Sequence, residues 1–240
     1  MSNEQTKPKE LLVQYDIDGE TIKLTPNMVQ EYIVGTNNGK ITLPEFKFFS
    51  ELCKVRKLNP FLKEAYCIKY GNNPAQIVVG KDAILKRAIK HPQYDGMESG
   101  IMVQVIDTGE IIERKGTFYI KAQENVVGGW ARVYRKDWKY PIYCSVGFDE
   151  VAQRKSDGTL NTQWRTKGAT MVEKVAKVRA LRETFVEELG GMYEAEEMGV
   201  QLPNEPNEPA PSEEIIQQGD VIEADAVEVV DAEVVSMEDI

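Results

Sequence analysis

One histidine in 240 residues excludes more chemistry than most of the residues present suggest. Zinc hydrolases, His-dependent nucleophilic triads and facial-triad iron sites need imidazoles aligned with partners, and a single ring cannot supply them. His91 stands before Pro92 where a helical pattern stops, a position suited to capping carbonyls. Cysteine is nearly as scarce. Cys53, Cys67 and Cys144 lie far apart with no CxxC spacing, so buried thiols are expected rather than disulfides or zinc. No GxxxxGK[ST] or GxGxxG run occurs, which removes the usual phosphate-cradling loops and with them the expectation of ATP use. No eighteen-residue apolar run exists, and the start MSNEQTKPKE has no hydrophobic stretch of a secretory leader, so no membrane association and a cytoplasmic location are expected.

The chain holds 29 Lys+Arg and 39 Asp+Glu, net −10, but the charge is unevenly placed. The last forty residues carry twelve acids and neither Lys nor Arg. Residues 24–193 carry 26 bases against 19 acids, net +7. The whole-chain charge thus hides a basic body on an acidic tail.

Periodicity divides the chain into residues 1–23 as a flexible arm, 24–197 as one core and 198–240 as an acidic, largely disordered tail. Thr25-Pro26 caps a short helix through Val34, and Gly35–Lys40 is loop. Thr42-Leu43-Pro44-Glu45 is a capping box ahead of Phe46, Phe49, Leu52, Cys53 and Val55 at helical spacing. Alternation from Glu64 to Tyr70, then Gly71-Asn72-Asn73-Pro74 and Ile77-Val78-Val79, reads as a β-hairpin. A helix over Gly80–Lys90 follows. Strand patterns at Ile101–Ile106, Thr117–Lys121, Trp130–Arg135 and Ile142–Phe148 predict an antiparallel sheet. Residues 153–167 read as loop, and Gly168–Leu189 as the longest helix, ended by Gly190-Gly191. The fold class is therefore α+β. In the tail, four prolines precede an acidic-hydrophobic alternation over Ala226–Val235, which suits either a docking segment or a solubilising one.

The long helix has an apolar arc of Val172, Val175, Val178, Leu181, Phe185, Val186 and Leu189. Glu173 and Glu187 fall on the solvent side and Glu183 beyond the apolar edge. Lys174 and Arg182 project within the arc, and Arg179 lies at its margin, with Lys177 off it. Internal salt bridges with snorkelling stems would explain this, and so would one wall of a polyanion groove. Arg165 and Lys167 would line its entrance, with Trp164 as a flat surface for a base. A second basic, aromatic run, Arg132-Val133-Tyr134-Arg135-Lys136-Asp137-Trp138-Lys139-Tyr140, offers cations for phosphates and rings for bases, or simply an exposed strand face. On Lys81, Lys86, Arg87 and Lys90 a solvated helix face is the simpler role. Asp95 with Glu113-Arg114-Lys115 has the D…ExK spacing of metal-dependent nucleases, and a DNA-binding adaptor without further activity is a third possibility.

In order along the chain, Leu58-Asn59-Pro60-Phe61 with Lys63-Glu64-Ala65-Tyr66, then Val78-Val79-Gly80-Lys81-Asp82, Tyr94-Asp95-Gly96, Val133-Tyr134-Arg135-Lys136-Asp137 and Gly190-Gly191-Met192-Tyr193 resemble blocks of the RecT group of single-strand annealing proteins, which includes the phage recombination proteins Bet or Redβ. The resemblance spans about Leu24 to Glu197. It implies an ATP-independent protein of phage or prophage origin, not an enzyme, that coats single-stranded DNA and pairs it with a complement. It also implies rings or helical filaments on the annealed duplex, with an exonuclease and the host single-strand binding protein as partners. No cofactor is required, Mg²⁺ serving at most to modulate DNA binding. The acidic tail departs from what the family's C-terminal region suggests. The implied DNA path runs between the hairpin and the long helix, where Lys63, Lys69, Lys174 and Arg182 match. Arg154, Lys155, Arg165 and Lys167 correspond only loosely, because the intervening loop differs in length. Arg132, Arg135, Trp164, Lys177 and Arg179 are candidates on charge and ring pattern alone.

Overall fold

Two short alternating segments, Val13–Ile17 (β1) and Glu20–Leu24 (β2), pair antiparallel around Asp18-Gly19. The computed structural model describes residues 11–34 and 39–200. Residues 1–10 of the expected arm, part of the loop after Val34 and the tail from residue 201 lie outside the described residues. The hairpin corrects the arm over residues 13–23. Tyr15 and Ile22 are buried, and the Tyr15 hydroxyl donates to the Leu58 carbonyl at 2.8 Å, tying the segment to the body. Only every second residue of the hairpin is apolar and five residues make a weak period, so the pattern was faint.

Thr25 caps Pro26–Met28 (α1), its hydroxyl accepting from the Met28 amide, and the chain continues as a π-helical turn over Val29–Val34. Leu43–Val55 (α2) starts at the capping box expected of it: Thr42 and Glu45 each accept the other's backbone N–H. Ala65–Ile68 (β3) and Gln76–Val79 (β4) form the expected hairpin, and Lys81–Lys90 (α3) follows immediately. Gly80 permits that junction. A β-carbon there would stand 2.5 Å from the Lys63 carbonyl oxygen, closer than any side chain tolerates.

The central sheet holds Tyr94–Val105 (β5), Ile111–Lys115 (β6), Glu124–Arg135 (β7) and Ile142–Gly147 (β8) in the antiparallel order β6-β5-β7-β8. Thr117–Lys121 is not a strand, contrary to its composition. Gly116, at φ +71°, turns the chain away from β5, and the Glu124 carboxylate accepts the Ile120 amide. Phe148–Val151 (α4) precedes Thr162–Thr184 (α5), which starts six residues earlier than the apolar period indicates because Asn161 caps it through the Trp164 amide. Lys167 interrupts the helical dihedrals, and Phe185 ends the helix before a short Val186–Leu189 (α6).

Helix α5 lies across β7 and β8. Gly129 of β7 allows the close approach, since a β-carbon there would meet the Val172 carbonyl oxygen at 2.5 Å. Ala131 and Val133 of β7 join Val172, Val175, Val178, Leu181 and Phe185 in one core with Phe46 and Phe49 of α2. The break at Phe185 rotates the chain, so Val186 leaves the apolar arc and is exposed. Glu173, expected on the solvent side, is buried: it accepts from the Ser99 hydroxyl of β5 at 2.8 Å and pairs with Lys177 at 2.6 Å. The sheet covers a wider sector of α5 than its apolar arc alone suggests.

Burial pushes the Cys67 thiol up to about 12 and that of Cys144 to about 11, and Cys53 also rises. All three are free thiols. His91 caps α3, its Nδ1 accepting from the Gln93 amide at 3.1 Å, and its ring packs 4.8 Å from that of Phe185.

Candidate nucleic-acid interface

The double glycine after α6 reverses the chain, and residues 193–200 run back between the β3–β4 hairpin and α5. The Val79 amide donates to the Tyr193 carbonyl at 2.8 Å, extending the edge of β4 by one bond. Met198, Gly199 and Val200 amides close a compact turn onto Glu194, Glu196 and Ala195 carbonyls. Ala195 and Val200 pack on Ile68 and Val78, with Tyr66 alongside. Gln153 Nε2 holds the far end through the Val200 carbonyl.

This strap brings three acids to the basic wall of α5. Lys174 Nζ lies 2.9 Å from Glu196 Oε1 and 3.6 Å from Glu194 Oε1. Arg182 meets Glu197 through both terminal nitrogens, at 2.6 and 2.5 Å, and its guanidinium stacks 4.5 Å from the Tyr193 ring centroid. Arg179 lies 3.6 Å from Glu197 and also pairs with Glu150. Burial opposes the Arg182 charge, but Glu197 outweighs it and raises the guanidinium's affinity for its proton. Burial pushes the Glu194 carboxyl up to about 8, although the Lys174 ammonium pulls it down. Both Glu194 oxygens and Glu196 Oε2 are buried without a hydrogen-bond partner.

Beside the strap is a cavity of about 340 Å³ lined by Leu62, Lys63, Tyr66, Lys81 and Lys174 together with Glu194 and Glu196. Lys63 reaches it because it sits in the left-handed conformation, φ 59°, that closes the turn after Asn59-Pro60-Phe61. Lys81 opens α3. Lysines from three parts of the chain therefore line one concavity, with Asp82, Glu194 and Glu196 among them. Helix position alone points Lys81 to a solvated face; the groove it lines exists only once α3, β4 and α5 are docked.

The other candidates divide. Lys69 is withdrawn: it is 6% exposed and both Glu45 oxygens accept from its Nζ, at 2.7 and 2.8 Å. Burial would raise the Glu45 carboxyl, but Lys69 and the Thr42 and Ala75 amides outweigh it and bring it to about 2. Trp164 is withdrawn as a base platform, being 1% exposed and edge-on to Phe148 at 5.5 Å. Lys177 is committed to Glu173. Arg154 bonds Asp149 of α4 and the Gly158 carbonyl of its own loop, while Lys155, Arg165 and Lys167 are exposed near the start of α5.

Strand alternation sets the last pair apart. Gly129, Ala131 and Val133 face α5, so Arg132 projects from the opposite side of the sheet, over the Trp130 and Tyr143 rings and paired with Glu113 at 3.0 Å. Arg135 turns toward the end of α5, donating to the Thr184 carbonyl and pairing with Asp137 and Glu187. The D…ExK trio does not assemble. Glu113 pairs with Met102 in the sheet register, seven positions along β5 from Asp95, roughly 20 Å at a strand's rise. Glu113 is held by Arg132 and Tyr143, and Lys115 by Glu98. Among the described residues no three His, Cys, Asp or Glu side chains cluster to hold a cation. Among them, too, no helix is long and apolar enough to cross a membrane.

The α+β body thus carries, beside its longest helix, a groove in which Lys63, Lys81 and Lys174 meet the acids Asp82, Glu194 and Glu196. The chain belongs to the RecT family, whose model matches residues 22–213. A comparison with curated proteins returns no match. Membership of the family implies single-strand annealing in recombination.

Proposed function

We propose that this is an ATP-independent single-strand annealing protein that holds single-stranded DNA in the groove between the β3–β4 hairpin and α5. The observation that carries the reading is the convergence of Lys63, Lys81 and Lys174 on one cavity, continued along α5 by Arg179 and Arg182, in a chain of the RecT family. Annealing needs no bond-making residue. Two phosphate chains repel, so cations must neutralise them while the bases stay accessible to a complement. Protomers assembling along DNA, as rings or a helical filament, would multiply one weak groove into tight binding. An exonuclease that exposes the single strand and a host single-strand binding protein complete the reading, with a phage or prophage as the source and Mg²⁺ modulating binding.

The test mixes complementary oligonucleotides, one carrying a fluorophore and the other a quencher, with protein and no nucleotide, in Mg²⁺ or in EDTA and at two salt concentrations. Annealing predicts accelerated quenching without ATP, weakened by salt, with both strands remaining full length. Binding without acceleration would make the protein an adaptor, and Mg²⁺-dependent shortening would make it a nuclease.

A further inference from the structure

The groove that would receive DNA is already filled by the protein's own chain, and what fills it has the chemistry of the expected ligand. Glu196 and Glu197 set carboxylates on Lys174, Arg179 and Arg182, and Glu194 adds a third acid beside Lys174. Ala195 and Val200 of the same strap cover Ile68 and Val78 of the hairpin beside Tyr66. Anionic groups therefore occupy the cationic wall and apolar groups the apolar strip, the division that phosphates and bases of a single strand would adopt.

The geometry points to residues 193–200 as an internal mimic of a single strand, which closes the groove in the free protein and is displaced when a single strand's phosphates take over Lys174, Arg179 and Arg182. This rests on the single-strand binding reading and adds to it a closed state and a competitor. Three features suit a strap that leaves. Its strongest ties are the ion pairs to Lys174, Arg179 and Arg182 and the Arg182–Tyr193 stacking, contacts that a strand's phosphates and bases could replace; further ties are one β-type bond from Val79 to Tyr193, the Gln153 tie, a guanidinium contact from Arg182 to the Met192 carbonyl, and a small apolar patch. It also buries three carboxylate oxygens without hydrogen bonds, an arrangement that release into water relieves. The Gly190-Gly191 pair at its root, with Gly191 at φ +77°, and Gly199 near its end, at φ +67°, supply hinges that side-chain-bearing residues would resist.

A closed groove lowers apparent affinity by the fraction of molecules that are open, so weakening the strap tightens binding with no new contact. The experiment titrates a labelled oligothymidylate into the full chain and into the Glu196→Gln/Glu197→Gln variant, at fixed salt. The expected result is a Kd lower by roughly tenfold in the variant. Independently, hydrogen exchange of the parent chain is followed at the Met198, Gly199 and Val200 amides, which should exchange faster once oligothymidylate is bound. This second measurement needs no variant, so a misfolded substitution cannot obscure the answer. Parent binding with an equal or weaker variant, or strap amides that become more protected on DNA, overturns the strap alone. No binding by parent or variant overturns the annealing reading and the strap with it.

Discussion

Arg182 and Glu197 meet side-on, with both guanidinium Nη atoms on both carboxylate oxygens at 2.6 and 2.5 Å, the side chains only 15% and 5% exposed. A planar fork on a planar carboxylate is also the geometry that Arg uses for phosphate. On the strap proposal, the residue would be an internal ion pair when the strap is down and a phosphate ligand when it is up. On that proposal the two explanations of its inward position would describe two states.

Removing one partner of such a pair leaves the other charge half-buried and uncompensated. Arg182→Glu, which sets two carboxylates against each other, should destabilise the protein by about 2 kcal/mol or more in urea titrations and abolish annealing. The swap Arg182→Glu/Glu197→Arg should recover most of the stability. Full stability in the single variant would mean that the pair contributes nothing to the closed fold.

Glu194 should make strap docking pH-dependent, and the sign follows from the direction of its shift. Its folded pKa, about 8, lies above the unfolded value, so the folded state holds the extra proton between roughly pH 4.5 and 8. This contribution to stability is therefore full at the acid end and lost as pH rises through 8. The groups facing Glu194 are Lys174 on α5, Lys63 and Lys81 across the cavity, Asp82, and its neighbours Glu196 and Glu197. Exchange of the strap amides, corrected for intrinsic rate, should accelerate from pH 6 to pH 9 in the parent and much less in Glu194→Gln.

The opposite sign holds at Glu45, whose pKa is depressed to about 2. The stability it supplies is present above roughly pH 4.5 and lost as pH falls toward 2. Glu45→Gln should lower stability at pH 7 by about 2 kcal/mol and flatten the acid limb of the stability curve. Because Lys69 is committed to this pair, Lys69→Met should lower stability while leaving the affinity of the folded protein for oligothymidylate within about twofold of the parent.

Trp164 offers a contrast between core and contact. Trp164→Ala should cost about 3–5 kcal/mol, while Trp164→Phe keeps most of the packing against Phe148. If the ring stacked on a base, the Phe variant would stay stable yet lose affinity; the expected result is a modest loss of stability with affinity retained.

Salt dependence tests the cavity lysines. Lys63→Ala and Lys81→Ala should each reduce the slope of log K against log salt by about 0.7, the value for one phosphate contact on a single strand. Arg132→Ala, on the other face of the sheet, should leave the slope of a single isolated groove unchanged.

Local signals carried much of this protein. Thr42 and Glu45 bracket their helix start because a capping box is satisfied within four residues, and the β3–β4 hairpin is marked by alternation and a Gly-Asn-Asn turn. The inward placement of Lys174 and Arg182 follows from helical spacing alone. Spacing did not show that Glu173 would face Ser99, because the sector of α5 that the sheet covers depends on how closely Gly129 lets the helix approach. Nor could it separate Lys69, held by Glu45, from Lys63, which lines the cavity. Both are lysines beside the same hairpin.

Sequence by itself determined the α+β class, the basic body and the family blocks, since each depends on residue type and short-range spacing. Only the tertiary structure decided which bases share a groove and that Glu194, Glu196 and Glu197 lie in it. The physical reason is one of range: helix caps and strand periods act over a few residues, whereas an ion pair forms wherever the fold sets two opposite charges a few ångströms apart.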